Sequence, residues 1–178
     1  MFELIQLKSA NEPEFAPLME LYTDAFPAEE RRVIEDLAKL IGSEERMCFN
    51  IVKFNNELAG LCVYWNFGDF YYLEHLAVYP EMRNNKIGQQ VLNWLSENLK
   101  GLHILEVEPA EDEMAIRRIN YYKRNGYDIR KKDYTQPSYD GIRNPIDLWI
   151  MTNEENERLE QYIDTIKEQV YHKNQKHR

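Results

Sequence analysis

Residues 73–95 read LEHLAVYPEMRNNKIGQQVLNWL, and two kinds of chemistry lie in or near them. The polar knot of Arg83, Asn84, Asn85, Lys86 and Gly88 runs into a helical pattern that begins near Ile87 and Gln89. A helix start leaves backbone N–H groups unpaired and carries partial positive charge. A polar loop feeding it can wrap those donors around a phosphate. Arg83 and Lys86 add charge, and Gly88 permits close approach. The same residues also fit a plain helix start with solvated cations and a packing glycine. Just upstream, Glu74 stands inside the otherwise apolar run FYYLEHLAV, where a carboxylate is disfavoured without a partner or a purpose. Glu106 and Glu108 stand two residues apart in HILEVE. A strand would put both on one face, either toward a site that handles a cation or toward solvent.

The elements that must position these groups follow from periodicity. FELIQLK alternates as a first strand. A helix follows, with Asn11 as its cap and Pro13 near its first turn, carrying Phe15, Leu18, Tyr22 and Phe26 on its apolar face. AEERRVIEDLAKLIG reads as a second helix ended by Gly42. MCFNIVKF, ELAGLCVYWNF and FYYLEHLAV make a three-stranded antiparallel meander, its first turn at Asn55-Asn56. Ile87, Val91, Trp94 and Leu95 line a helix. HILEVE is a strand, and Ala115, Ile119 and Tyr122 line another helix. YDIRKKDY and PIDLWIM are the last strands, linked by a loop that contains Pro137, Gly141 and Pro145; the segment YTQPSYDG, with Tyr134, Gln136 and Tyr139, is aromatic, polar and loop-like. The tail from Thr152 reads as a helix with a Thr152/Glu155 capping box, and its end, HKNQKHR, should fray. Its stripe of Leu159, Tyr162, Ile163, Ile166 and Val170 must be covered by its own domain or by a second copy in a homodimer.

The chain has 178 residues, enough for one core, and a net charge of −9. That acidity argues against a nucleic-acid partner and leaves room for a cationic substrate. The two cysteines, Cys48 and Cys62, lie in strand-like runs and read as buried free thiols; neither a disulfide framework nor a cysteine metal site is expected. The start of the chain lacks the pattern of a signal peptide, and no run is long enough to span a membrane, which points to the cytoplasm.

HLAVYPEMRNNKIGQQVLNWL resembles the coenzyme A-binding motif of the GNAT superfamily of N-acetyltransferases, and INYYKRNGY resembles the segment F-Y-x-x-x-G-F of that family. The resemblance spans roughly residues 1 to 150. Lys86 stands where the motif commonly has its first glycine, and Ala115 where many members have an asparagine that touches the pantetheine arm. The resemblance implies an α/β fold: a mixed, splayed sheet of about seven strands flanked by helices, in one domain over residues 1–150, with an extra C-terminal helix in 151–178. It implies a β-bulge in the fourth strand. It implies acetyl-CoA as donor, with the backbone of Leu76, Ala77 and Val78 pairing with pantetheine. The amides of Arg83, Asn84, Asn85, Lys86, Ile87, Gly88 and Gln89 would hold the pyrophosphate.

An acetyl-CoA-dependent N-acetyltransferase moves an acetyl group directly to an amine through a tetrahedral intermediate. A lysine-like amine has a pKa of about 10.4, so a base is useful. Tyr122 matches the family tyrosine that serves as general acid near the sulfur. Glu74 and Glu108 are the candidate bases. Glu106, with Tyr134, Gln136 and Tyr139, would bind a primary amine of a small molecule or peptide. His75, His103 and Cys62 are weaker candidates. A module on the same fold that holds coenzyme A or a protein without turnover is the alternative.

Overall fold

The computed structural model describes residues 1–175. Seven strands and their flanking helices build the α/β fold that the sequence predicts, in two compact units, Met1–Lys100 and Gly101–Arg178.

The first unit holds β1 (Phe2–Gln6), α1 (Phe15–Ala25), α2 (Ile34–Leu40), β2 (Met47–Phe54), β3 (Glu57–Asn66), β4 (Phe70–Val78) and α3 (Ile87–Asn98). Its strands run in the order β1-β2-β3-β4, each antiparallel to the next. Asn55 and Asn56 both have positive φ, 51° and 66°, as a tight turn matched to strand twist requires. Phe49, Ile51, Leu61, Val63 and Trp65 of the strands and Leu18, Tyr22, Val91 and Leu95 of the helices are all buried, which gives this unit its core. Gly60 lies opposite Val78, and a Cβ there would collide with the Ala77 carbonyl oxygen. The absence of a side chain therefore lets β3 lie close under the end of β4.

The pairing of β3 with β4 slips by one residue. Val63 pairs with His75 and Tyr64 with Leu73, leaving Glu74 as the extra residue of a β-bulge. Burial changes phase at that point. Phe70 and Tyr72 are buried before it; His75 and Ala77 are buried after it.

The second unit holds β5 (Leu102–Val107), α4 (Glu113–Arg124), β6 (Asp128–Gln136), β7 (Ile146–Thr152) and α5 (Leu159–Ile166). Its strands run β5-β7-β6, antiparallel. Asp112 caps α4 by accepting from the Ala115 amide. The chain continues past α5 as a π-helical turn, Lys167–His172, and a last helical turn, Lys173–Gln175. Tyr162, Ile163, Ile166, Val170 and Tyr171 are all buried, so the tail's stripe is covered within the chain. Of the end expected to fray, residues 172–175 are helical and 176–178 lie outside the described residues.

Several boundaries differ from the sequence reading, each for a local reason. The predicted second helix is a short 3₁₀ turn, Ala28–Glu30, and a separate α2, because Arg31 and Val33 are extended where Arg32 turns inward to a buried partner. Helix α1 starts at Phe15, after Glu14, with no side-chain cap from Asn11. Thr152 ends β7 instead of capping a helix. Its hydroxyl donates to the Glu154 carbonyl and accepts from Arg130 Nε, and α5 begins only at Leu159. Leu92 is buried on α3, and Trp94 is half-buried. Among the described residues no helix is long and apolar enough to cross a membrane.

Candidate active site

The loop singled out first takes a definite shape. Beyond β4, Pro80–Asn85 coils as a 3₁₀ turn, and Lys86 then adopts the left-handed conformation, φ 56° and ψ 30°, as the N-cap of α3. A twelve-residue helix opens directly from that cap. The first hydrogen bond into the α3 ladder runs from the Gln90 amide to the Lys86 carbonyl at 3.1 Å, so the amides of Ile87, Gly88 and Gln89 point out of the helix start. Arg83, Asn84, Asn85 and Lys86 have exposed or half-exposed side chains. Asn85 Nδ2 donates to the Met82 carbonyl at 3.3 Å, and Gln90 Nε2 donates to the Asn85 carbonyl at 3.4 Å; these bonds tie the turn to the helix. Oriented amides, a helix start and exposed cations suit a pyrophosphate. Upstream, Leu76 and Val78 are half-buried strand residues that follow the bulge, and Ala77 is buried. That pattern leaves strand backbone beside the loop.

Glu74 has a partner. Its side chain is 0% exposed and that of Arg32 is 3%, and Arg32 Nη1 donates to Glu74 Oε2 at 2.5 Å. Trp65 Nε1 donates to Oε1 at 2.7 Å, and the Arg32 guanidinium lies 5.7 Å from the Trp65 ring centroid. The residue as a whole is half-buried, so what remains exposed at Glu74 is its backbone. The Arg32 amide donates to Tyr22 Oη at 2.9 Å. His75, beside Glu74 at the bulge, also faces α1, close enough to Glu74 and Arg32 for both charges to act on it. Its Nε2 donates to the Glu30 carbonyl at 2.9 Å, and its ring meets Tyr22 and Phe26 at 5.2 and 4.4 Å. Burial, above all, pulls the His75 pKa below the usual histidine value. Burial also pushes the Cys62 thiol up to about 12, which leaves it protonated and inert at neutral pH.

In the second unit Glu106 is the hub. Tyr134 Oη donates to its Oε2, Gln136 Nε2 to its Oε1 at 3.1 Å, and Tyr171 Oη to the same Oε1 at 2.7 Å. Tyr134 lies on β6, which runs two residues past the predicted strand end to include Gln136; their i, i+2 spacing turns both toward Glu106. Burial, followed by the Glu106 charge, raises the Tyr134 pKa, so its phenol stays a proton donor. Tyr139 does lie in the loop, buried, with its ring 4.8 Å from that of Tyr171. Glu108 falls one residue past the end of β5 and is half-buried. Tyr122 is half-buried on the last full turn of α4, its ring 5.6 Å from Tyr121 and 5.8 Å from Tyr127. His103 is a satisfied core histidine, 2.9 Å from Tyr127 Oη.

The structure thus brings Glu106, Tyr134 and Gln136 together, and gathers the loop residues from Arg83 to Gln89 at one helix start. Arg32, Trp65 and Tyr171 complete the two carboxylate clusters, and the sequence did not announce them. Arg32 sits in an EERR run that reads as a solvated helix face. Tyr171 falls one residue off the stripe of the tail helix, about 100° away on an α-helix. The π-helical turn absorbs an extra residue and brings it to the buried side.

Comparison with known proteins fits this geometry. The sequence model of the Acetyltransferase (GNAT) family matches residues 15–127. A GNAT-family protein from Bacteroides thetaiotaomicron, named as an acetyltransferase, is 32% identical with a TM-score of 0.88, over 95% of this chain and 98% of that one. The ribosomal-protein-S18-alanine N-acetyltransferase of Escherichia coli is 21% identical with a TM-score of 0.57, over 88% and 97%. A GNAT family acetyltransferase from Elizabethkingia anophelis, solved with acetyl-CoA bound, is 17% identical with a TM-score of 0.55, over 86% and 98%. None of the curated proteins matches the chain.

Proposed function

The chain belongs to the GNAT family of acetyltransferases, and from that premise we propose that it transfers an acetyl group from acetyl-CoA to a primary amine of a small molecule or peptide. The observation that carries the reading is a β-bulge at Glu74 followed within one unit by a 3₁₀ turn, a left-handed Lys86 and the start of α3. The donor is acetyl-CoA, which a fold neighbour holds. When bound, it supplies an activated thioester.

The residues present fit that donor. The backbone of Leu76, Ala77 and Val78 is proposed to pair with the pantetheine arm, and the amides from Arg83 to Gln89 to bind the pyrophosphate, with Arg83 and Lys86 adding charge. Ala115, in place of a family asparagine, contributes no side-chain amide to that arm. Tyr122 is proposed as the general acid, supported by its place in INYYKRNGY.

The carboxylates divide the remaining work. Glu74 is sealed beneath Arg32 and Trp65, which suits it to anchoring the bulge. Glu106, which accepts from Tyr134, Gln136 and Tyr171, is held in a fixed orientation that suits it to attract an ammonium. Glu108, half-buried past the strand end, is the proposed base. The Escherichia coli neighbour is named as an N-acetyltransferase of ribosomal-protein-S18 alanine.

Calorimetry with acetyl-CoA tests the reading. The wild type should bind, and Arg83→Ala combined with Gly88→Glu should not. A wild type that does not bind would sink the proposal; equal binding by both proteins would move the cofactor off this loop.

A further inference from the structure

The C-terminal segment reaches Glu106 and the loop between β6 and β7 at three points. Tyr171, 0% exposed, donates to Glu106 Oε1 at 2.7 Å and packs its ring on Tyr139. Four residues on, the Gln175 side-chain amide donates to the Ser138 carbonyl. Gly141, at φ 75°, faces the same Gln175 side chain. The loop between β6 and β7 is further tied by Asp140, which accepts from the Ile142 and Arg143 amides at 2.8 and 2.9 Å. One segment therefore clamps both that loop and Glu106.

The π-helical turn is what makes the clamp work. Without its extra residue, Tyr171 would point away from the stripe that buries Ile163, Ile166 and Val170. A wide turn is a poorer helix, so the segment gives up regular hydrogen bonding to deliver one hydroxyl. Simple burial would not call for a tyrosine here, because phenylalanine fills the same space without a polar atom to satisfy.

We propose that Tyr171 is a positioning residue of the acceptor site, its hydroxyl holding Glu106 as an oriented, ionised carboxylate that receives the acceptor's ammonium. The inference rests on the acetyltransferase reading for its purpose, and on the cluster itself for its geometry. A hydrogen bond to a carboxylate favours the charged form, and a neutral donor does so without competing as a cation for the space of the ammonium. Tyr134 and Gln136 from β6 also face Glu106, and Ile150 of β7 pairs with it. The Lys167 ammonium, on the same turn as Tyr171, lies 5.3 Å from the Tyr134 ring centroid.

The test follows the Glu106 carboxyl by ¹³C NMR through a pH titration of the full chain, with Glu106→Gln to assign the signal. Tyr171→Phe keeps the ring and removes the hydroxyl, and should move the midpoint up by about one pH unit, the worth of one hydrogen bond to a charged group. Site-specific 3-fluorotyrosine at position 171, a stronger donor of nearly the same shape, should move it down, and this arm stands even if the phenylalanine variant fails to fold. A purely structural Tyr171 would change the melting temperature and leave the midpoint in place, and that result overturns the inference. Acetyl-CoA calorimetry on the same samples separates the two readings. Loss of donor binding by the wild type condemns the transferase reading, whereas an unmoved midpoint condemns the role of Tyr171.

Discussion

Lys86 shows what a single residue reveals about the loop it occupies. The family motif commonly has glycine at this position, and the backbone here explains why: φ is 56° and ψ 30°, a conformation in which a Cβ crowds the following carbonyl. The chain accepts that strain and gains a cation at the mouth of α3. Lys86→Gly should therefore stabilise the protein by about 1 kcal/mol, the usual left-handed penalty less the entropy that glycine adds to the unfolded chain. It should also weaken acetyl-CoA binding modestly, since the amide stays and the charge goes. Urea denaturation checks the first effect and calorimetry the second; a destabilised glycine variant would show that the Lys86 side chain does more than the backbone strain costs. The anomaly at this position was legible in the sequence, because the motif has a gap there. The left-handed turn was not, since nothing in the letters around a lysine requires one.

At the scale of the element, β4 depends on its bulge. Glu74 is the extra residue, its carboxylate turned inward to Arg32 and Trp65 and its backbone left exposed. That arrangement redirects the strand just before Leu76, Ala77 and Val78. Glu74→Gln preserves the shape and an acceptor for the Trp65 indole, yet leaves the Arg32 guanidinium buried without its carboxylate. A cost of about 3–5 kcal/mol is expected, as for other broken buried pairs, together with weaker acetyl-CoA binding as the bulge loosens. A variant as stable as the wild type would mean that the pair contributes little to the bulge. The order of strands and helices was readable because hydrophobic period and turn residues are local signals, as at Asn55-Asn56 and in the stripe of α3. What escaped was set by distant partners. The break between Glu30 and Ile34 exists because Arg32 must reach a carboxylate 42 residues away. The extension of β6 past Tyr134 to Gln136 depends on pairing with β7.

For the whole molecule, the pH dependence of stability sums over every ionisable group, and His75 gives it a definite sign. Burial is the largest influence on this imidazole and lowers its pKa; the nearby Glu74 charge and the bond to the Glu30 carbonyl act in the opposite direction, and Arg32 adds to the lowering. In the unfolded chain a histidine titrates near about 6.5. As pH falls below that value, the unfolded chain binds a proton that the folded chain refuses. The unfolded state then holds more protons, so stability declines with falling pH, by at most about 1.4 kcal/mol per unit for one group, until the folded histidine itself titrates. The loss thus begins near the ordinary histidine value and extends downward. With a net charge of −9, the chain also relieves self-repulsion as its carboxylates take up protons, which acts in the opposite direction over a lower range. Comparison with His75→Gln isolates the histidine, because the carboxylates are common to both proteins. Denaturant midpoints measured from pH 7.5 to 5 should fall more steeply for the wild type than for the variant, which can still donate toward the Glu30 carbonyl but takes up no proton. Parallel curves would mean that the folded protein accommodates a charged imidazole between Tyr22 and Phe26, and that burial there is less complete than the packing of those rings implies.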